Sequence, residues 1–256
     1  PSSSMRAPRT VLLAAALAAC ARSALADLAP GSFPRVHATS HRNVQSADGL
    51  SISYYTYDPP RPARSTLVIV HGMLWHSGHF DALARRLAAH GHRVVALDYR
   101  GHGRSASEKG VRGHFSTLRR LQEDVAAVVR QEADREKPVL ALGESFGTVV
   151  LLSALVEGDG RTLAGVPLAG CILCGAVTRL APAVRPPAAL LAVLRLVSMA
   201  APTLGLPDQK IIQSFDEAFG DSSYGPRART EDPLINLRPP TVAAALASVR
   251  AIRCVD

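Results

Sequence analysis

Apolar residues in this chain fall into two kinds of run. STLVIVHG (65–72), HRVVALD (92–98), KPVLALG (137–143) and LAGCILCGAV (168–177) are short and continuous, the texture of strands buried on both faces. Between them, Phe80, Leu83, Ala84, Leu87 and Ala88 recur at helical spacing until Gly91. Leu118, Leu121, Val125, Val128 and Val129 repeat the pattern, with Ser116 or Thr117 as the cap. FGTVVLLSALVEG (146–158) predicts a third helix. Ahead of these runs, HRNVQSADGLSISYYTYDPP places β-rich residues around Asp48-Gly49, which predicts a hairpin. Strands and helices alternating over short connections predict an α/β fold, a mostly parallel sheet covered on both faces. From Val177 to about Pro207 the pattern dissolves into an apolar, Pro-punctuated, irregular stretch, the texture of an inserted lid. TVAAALASVRAIR (241–253) then predicts one last helix.

Composition adds limits. With 47% hydrophobic and 20% charged residues over 256 positions, the chain can bury a full core, and a single domain is expected. The net charge of +8 is spread out, three of its arginines (Arg6, Arg9, Arg22) lying near the start. No basic run interleaved with aromatics appears, so no nucleic-acid partner is expected. MRAPRTVLLAAALAACARSALADL reads as a leader: arginines, an apolar run from Val11 to Ala19, and Ala24-Leu25-Ala26 as a cleavage signal. Export or membrane association is the expected destination, with an organelle such as the chloroplast as the alternative. Leu17-Ala18-Ala19-Cys20 also resembles a lipoprotein box. Cys171 and Cys174 form a C-x-x-C inside a strand-like run with no second ligand pair. They are expected to be buried structural thiols, with no metal and no cofactor.

The chemistry concentrates at Gly143-Glu144-Ser145-Phe146-Gly147. A G-x-S-x-G between an apolar strand and an apolar helix predicts a nucleophilic Ser145 on a strained turn. Gly143 and Gly147 let strand and helix approach, and the helix N-terminus faces developing negative charge. His71-Gly72-Met73, at the end of the 65–70 strand, would bring a second backbone N–H to the serine. The amides of Phe146 and Met73 are thus the expected oxyanion donors, with His71 ordering the loop and not acting as base.

These stretches, with KGVRGHFSTLRRLQEDV (109–125), resemble the α/β-hydrolase superfamily. They are most similar to its monoacylglycerol lipase and lysophospholipase group, grouped with serine aminopeptidase S33. The likeness runs from about Val44 to Ala176 and resumes at Glu231-Asp232-Pro233-Leu234. It implies an α/β-hydrolase fold and hydrolysis of a carboxylic ester on a small lipid-like substrate through an acyl-serine. It also implies a peripheral membrane contact through the lid. The implied organisation is a leader over 1–26, a hydrolase core over 40–176, a lid over 177–235, and the start of a return to the core over 236–256. In this superfamily the acid and histidine follow the nucleophile in chain order. All nine histidines here precede Ser145. The acid, the base and the strands that would carry them are therefore expected to be missing, and the chain as written to be nearly inert. His76, His79, His102 and His114 are expected on surface loops or caps, Asp98 outside the triad, and Asp124 at the surface or anchoring a loop. A non-catalytic lipid-binding or regulatory relative and an acyltransferase remain as alternatives.

Overall fold

A computed structural model describes residues 33–180, 185–207 and 224–254. The leader, including Cys20 and the Ala24-Leu25-Ala26 signal, lies outside these residues, as do 181–184 and 208–223 of the expected lid.

The chain begins with the predicted hairpin, β1 (Ser40–Gln45) and β2 (Ser51–Tyr57), in antiparallel register from Ser40 opposite Thr56 to Gln45 opposite Ser51. Gly49 turns it at φ 80°, a conformation open to glycine at little cost. β3 (Ser65–Val70), β4 (His92–Leu97), β5 (Val139–Glu144) and β7 (Val166–Cys174) form the parallel centre. A two-residue β6 (Thr162–Leu163) folds back antiparallel on the start of β7. The spatial order is β1-β2-β4-β3-β5-β7-β6. The sheet is thus mixed at its flanks and parallel where the continuous apolar runs lie.

The helices cover both faces. α1 (Asp81–Ala89), entered through a 3-10 turn at Ser77–Phe80, turns Leu83 and Leu87 onto Leu67, Ile69, Val94 and Ala96. On the other face, α2 (Leu118–Glu132) and α3 (Phe146–Glu157) pack Leu121, Val125, Val149 and Val150 against Val68, Val70, Val95 and Leu97. Thr117 holds the cap position of α2, but its side chain makes no capping bond. Three more helices complete the described chain, α4 (Ala188–Ala200), α5 (Tyr224–Glu231) and α6 (Val242–Cys254). α6 adds Ala244, Ala251 and Ile252 to the larger core.

Two sequence expectations are corrected here. The stretch read as irregular contains the 13-residue α4, because its prolines cluster at Pro186 and Pro187 and Pro202 and leave Ala/Leu/Val between them. Cys171 and Cys174, read as buried, are exposed. The described residues place no strand on the far side of β7 beyond the short β6 pairing at Val166 and Pro167. Enough protein still surrounds the Cys171 sulfur that desolvation pushes its pKa up to about 11.

Candidate active site

Ser145 stands between β5 and α3 with φ 48° and ψ −116°, a backbone conformation that non-glycine residues rarely hold. Its neighbours impose it. The Ser145 N–H donates to the Cys174 carbonyl at 2.8 Å, tying the turn to the tip of β7. The Thr148 N–H and hydroxyl both donate to the Ser145 carbonyl, at 3.0 and 2.6 Å, which starts α3 directly after the serine. A Cβ at Gly143 would sit 2.8 Å from the Gly147 carbonyl oxygen, and one at Gly147 would collide with the Val70 carbonyl. Both glycines are therefore required for β3, β5 and α3 to meet here.

Phe146 is the first residue of α3, where backbone N–H groups have no intrahelical partner. The loop after β3 reaches the same place: a Cβ on Gly72 would strike the Glu144 carboxylate and lie 3.0 Å from Ser145 Cβ. Gly72 thus lies beside the serine, with His71 and Met73 flanking it in the chain. His71 is fully buried, with Nδ1 2.7 Å from the Gly72 carbonyl and its ring stacked on Tyr99 at 4.1 Å. Burial drives its pKa well below 6.5, so it is neutral. Glu144 is pushed upward by burial, with a smaller opposing effect from the Gly72 N–H, and its Oε2 has no hydrogen-bond partner.

The histidines read as surface residues are buried instead: His76, His102 and His114 are at most 1% exposed. His102 Nδ1 lies 3.0 Å from the Arg100 carbonyl, and His114 Nδ1 lies 2.8 Å from the Thr241 hydroxyl. The loops carrying them fold under the strand ends and need internal partners for their own polar groups. Among the described residues no histidine hydrogen-bonds the Ser145 hydroxyl. Asp98 is buried as a loop organiser, accepting from the Ser77 N–H at 2.6 Å and the Arg104 N–H at 2.9 Å. Asp124 is fully buried, which excludes the surface reading. It accepts from Arg100 Nε at 2.9 Å and Nη2 at 2.7 Å, and from the Ser46 hydroxyl at 2.7 Å.

The reading from sequence missed one constellation. His76 Nε2 and His79 Nε2 lie 2.8 and 2.9 Å from the same carboxylate oxygen, Oδ2 of Asp232. The D-P at 232–233 was visible as a motif. Nothing in its local pattern pointed to residues 156 positions earlier. Separately, a cleft of about 580 Å³ opens between α2, α4 and α6, with Glu157 on its wall. Glu157 ends α3, about 18 Å from Ser145 by helical rise, so this cleft is not the serine site.

Residues 61–255 match the family described as "Serine aminopeptidase, S33". A monoacylglycerol lipase of Mycolicibacterium smegmatis is 34% identical over 110 residues, covering 42% of this chain and 38% of that protein. A monoglyceride lipase of Rattus norvegicus is 31% identical over 116 residues, covering 45% and 38%. The chain thus spans well under half of these relatives. Among solved structures, a lipase in an open form aligns with a TM-score of 0.70 at 22% identity, over 85% of this chain and 74% of that one. The monoacylglycerol lipase of Paleococcus ferrophilus aligns at 0.61 and 21%, over 80% and 71%.

Proposed function

The chain belongs to the serine aminopeptidase S33 family of α/β-hydrolases, and on that premise we propose that it is built to cleave carboxylic esters of small monoacylated lipids. Relatives named as monoacylglycerol and monoglyceride lipases support this substrate class. Ser145 is the nucleophile in this reading, and the amides of Phe146 and Met73 hold the oxyanion of the tetrahedral intermediate. The observation that carries the proposal is the strained backbone at Ser145, φ 48° at the head of α3 with the Gly72 loop against it. Gly143, Glu144, Gly147, His71 and Gly72 shape that turn and loop.

The exposed side of α4 suits a peripheral contact with a lipid surface: Leu190, Val193, Leu196 and Met199 all face solvent. Among the described residues no helix is long and apolar enough to cross a membrane. Residues 177–235 remain the proposed lid, 40–176 the core, and the leader an export signal.

Among the described residues no histidine bonds Ser145, so this chain is proposed to turn over esters only at the residual rate that an oxyanion hole and binding provide. That same observation favours the second reading, a lipid-binding relative with a silent serine. A fluorophosphonate probe separates the two. Slow but stoichiometric labelling that disappears in Ser145→Ala supports the nucleophile. Absence of any labelling at Ser145 sinks it and leaves the silent-site reading. Ester turnover at rates typical of complete lipases would overturn the predicted sluggishness.

A further inference from the structure

His76, His79 and Asp232 offer two imidazole nitrogens and a carboxylate oxygen, all within 4.8 Å of one another. The side chains are 2%, 6% and 1% exposed. We propose that this cluster is a binding site for a divalent transition-metal ion of the Zn²⁺ type, bracing the loop after β3 against the segment following α5.

The donor set is the first argument. Two imidazoles and one carboxylate suit Zn²⁺ and its neighbours in the first transition row, whereas Ca²⁺ and Mg²⁺ take oxygen shells. Tetrahedral bonds of about 2.0–2.1 Å require ligand atoms about 3.3 Å apart. The contacts from Asp232 Oδ2 to the two nitrogens, 2.8 and 2.9 Å, need open by only a few tenths of an ångström.

His79 supplies the second argument. Its Nε2 lies 2.9 Å from Asp232 Oδ2, yet off the line of a hydrogen bond, so this buried nitrogen has no proper partner. On the other side of the ring, Nδ1 is 2.7 Å from the Tyr224 hydroxyl. If Nδ1–H donates to Tyr224, the lone pair of Nε2 is left pointing into the cluster, the arrangement of a metal-bound imidazole held by an outer partner.

The surroundings are the third argument. Phe33, Trp75 and Tyr224 enclose the donors, Trp75 edge-on to His79 at 4.2 Å and Phe33 6.0 Å from it. A largely aromatic wall around two buried nitrogens and a buried carboxylate strengthens their pull on a cation.

One group must rearrange. His76 Nδ1 accepts from the Gly78 N–H at 3.1 Å, so its Nε2 carries the proton given to Asp232. Metal entry moves that proton, by way of solvent, from Nε2 to Nδ1 and releases the Gly78 contact. No electron transfer is involved. The affinity should therefore fall below that of structural zinc sites whose histidines are already in the binding tautomer.

The test is titration of the full, untagged chain with Co²⁺. The expected result is a saturable visible ligand-field band at one equivalent, without a thiolate charge-transfer band. Zn²⁺ should displace it, a chelator should remove it, and the melting temperature should rise. His79→Gln and Asp232→Asn should each weaken binding tenfold or more. Tyr224→Phe should weaken it about tenfold while leaving all three ligands in place. Absence of saturable one-to-one binding by wild type overturns the proposal, and that measurement does not depend on any variant folding. So does binding retained in His79→Gln. A drop in melting temperature for Asp232→Asn with no metal response in wild type would show a hydrogen-bonded clasp instead, and also overturns it.

Discussion

His102 shows how burial converts a common residue into a pH-dependent load. Its ring is held through Nδ1 by the Arg100 carbonyl, while its Nε2 is buried without a partner. Burial lowers its pKa to about 4, helped slightly by Arg112 and His76 and opposed by the bond to the Arg100 carbonyl and by Asp98. The folded value lies below the unfolded 6.5, so the unfolded chain binds the proton more readily. Stability is complete above about pH 6.5 and is lost as pH falls from 6.5 towards 4. The slope is about 1.4 kcal/mol per pH unit while one proton is taken up. Urea unfolding across pH 4–7 should show a slope one proton smaller in His102→Asn than in wild type, whose slope also carries the other buried histidines. Equal slopes would mean that His102 titrates normally. At this scale the motif residues could be read from the sequence, because a G-x-S-x-G turn is specified by immediate neighbours. The burial of His76, His79, His102 and His114 could not, since their partners (Asp232, Tyr224, Thr241 and the Arg100 carbonyl) are set by how distant loops meet.

At the scale of elements, the Gly-rich loop after β4 is held by Arg100, whose guanidinium is fully buried. It spans Asp124 on α2, Asp48 in the hairpin turn and Ser46 at the end of β1. Burial opposes its charge, but Asp124 and Asp48 outweigh that and push its pKa further up. Asp48 in return is held at about 2, chiefly by its bond to Arg100. Asp124→Asn would leave a buried guanidinium with one anion fewer, and losses of about 3–5 kcal/mol are typical for breaking one side of such a pair. Denaturant unfolding measures this, and a change under 1 kcal/mol would show that Asp48 and Glu108 suffice. The element pattern itself was legible: every continuous apolar run became a strand, and each helical spacing a helix. α4 escaped because proline frequency masked a Pro-free interval. The antiparallel β6 escaped because two residues carry no periodicity.

Across the whole molecule, the covered centre of the sheet contrasts with its β7 side. Leu173, Cys171 and Cys174 are exposed there, and α4 exposes four large apolar side chains. Native-state alkylation with iodoacetamide followed by peptide mapping should therefore modify both Cys171 and Cys174 without denaturant. Cys171 should react slowly near neutral pH, because its raised pKa leaves little thiolate. Full protection of both would restore the buried-thiol reading. The C-x-x-C text looked like core because strand composition alone does not say how many neighbours a strand has. That number is a property of the sheet, and residue type carries no record of it.

One bond links these scales. The amide of Ser145 is held by the Cys174 carbonyl, at the last residue of a strand whose outer flank is unpaired beyond Pro167 among the described residues. The tension in the elbow is thus anchored to a strand paired on one side only along its last residues. Whenever the tip of β7 peels away, the turn loses the contact that keeps it wound and can relax towards ordinary backbone angles. Any opening of the strand tip would thus be coupled to the readiness of the serine. Anything that clamps that edge, such as another strand laid along it, would act as a throttle on the nucleophile without touching it.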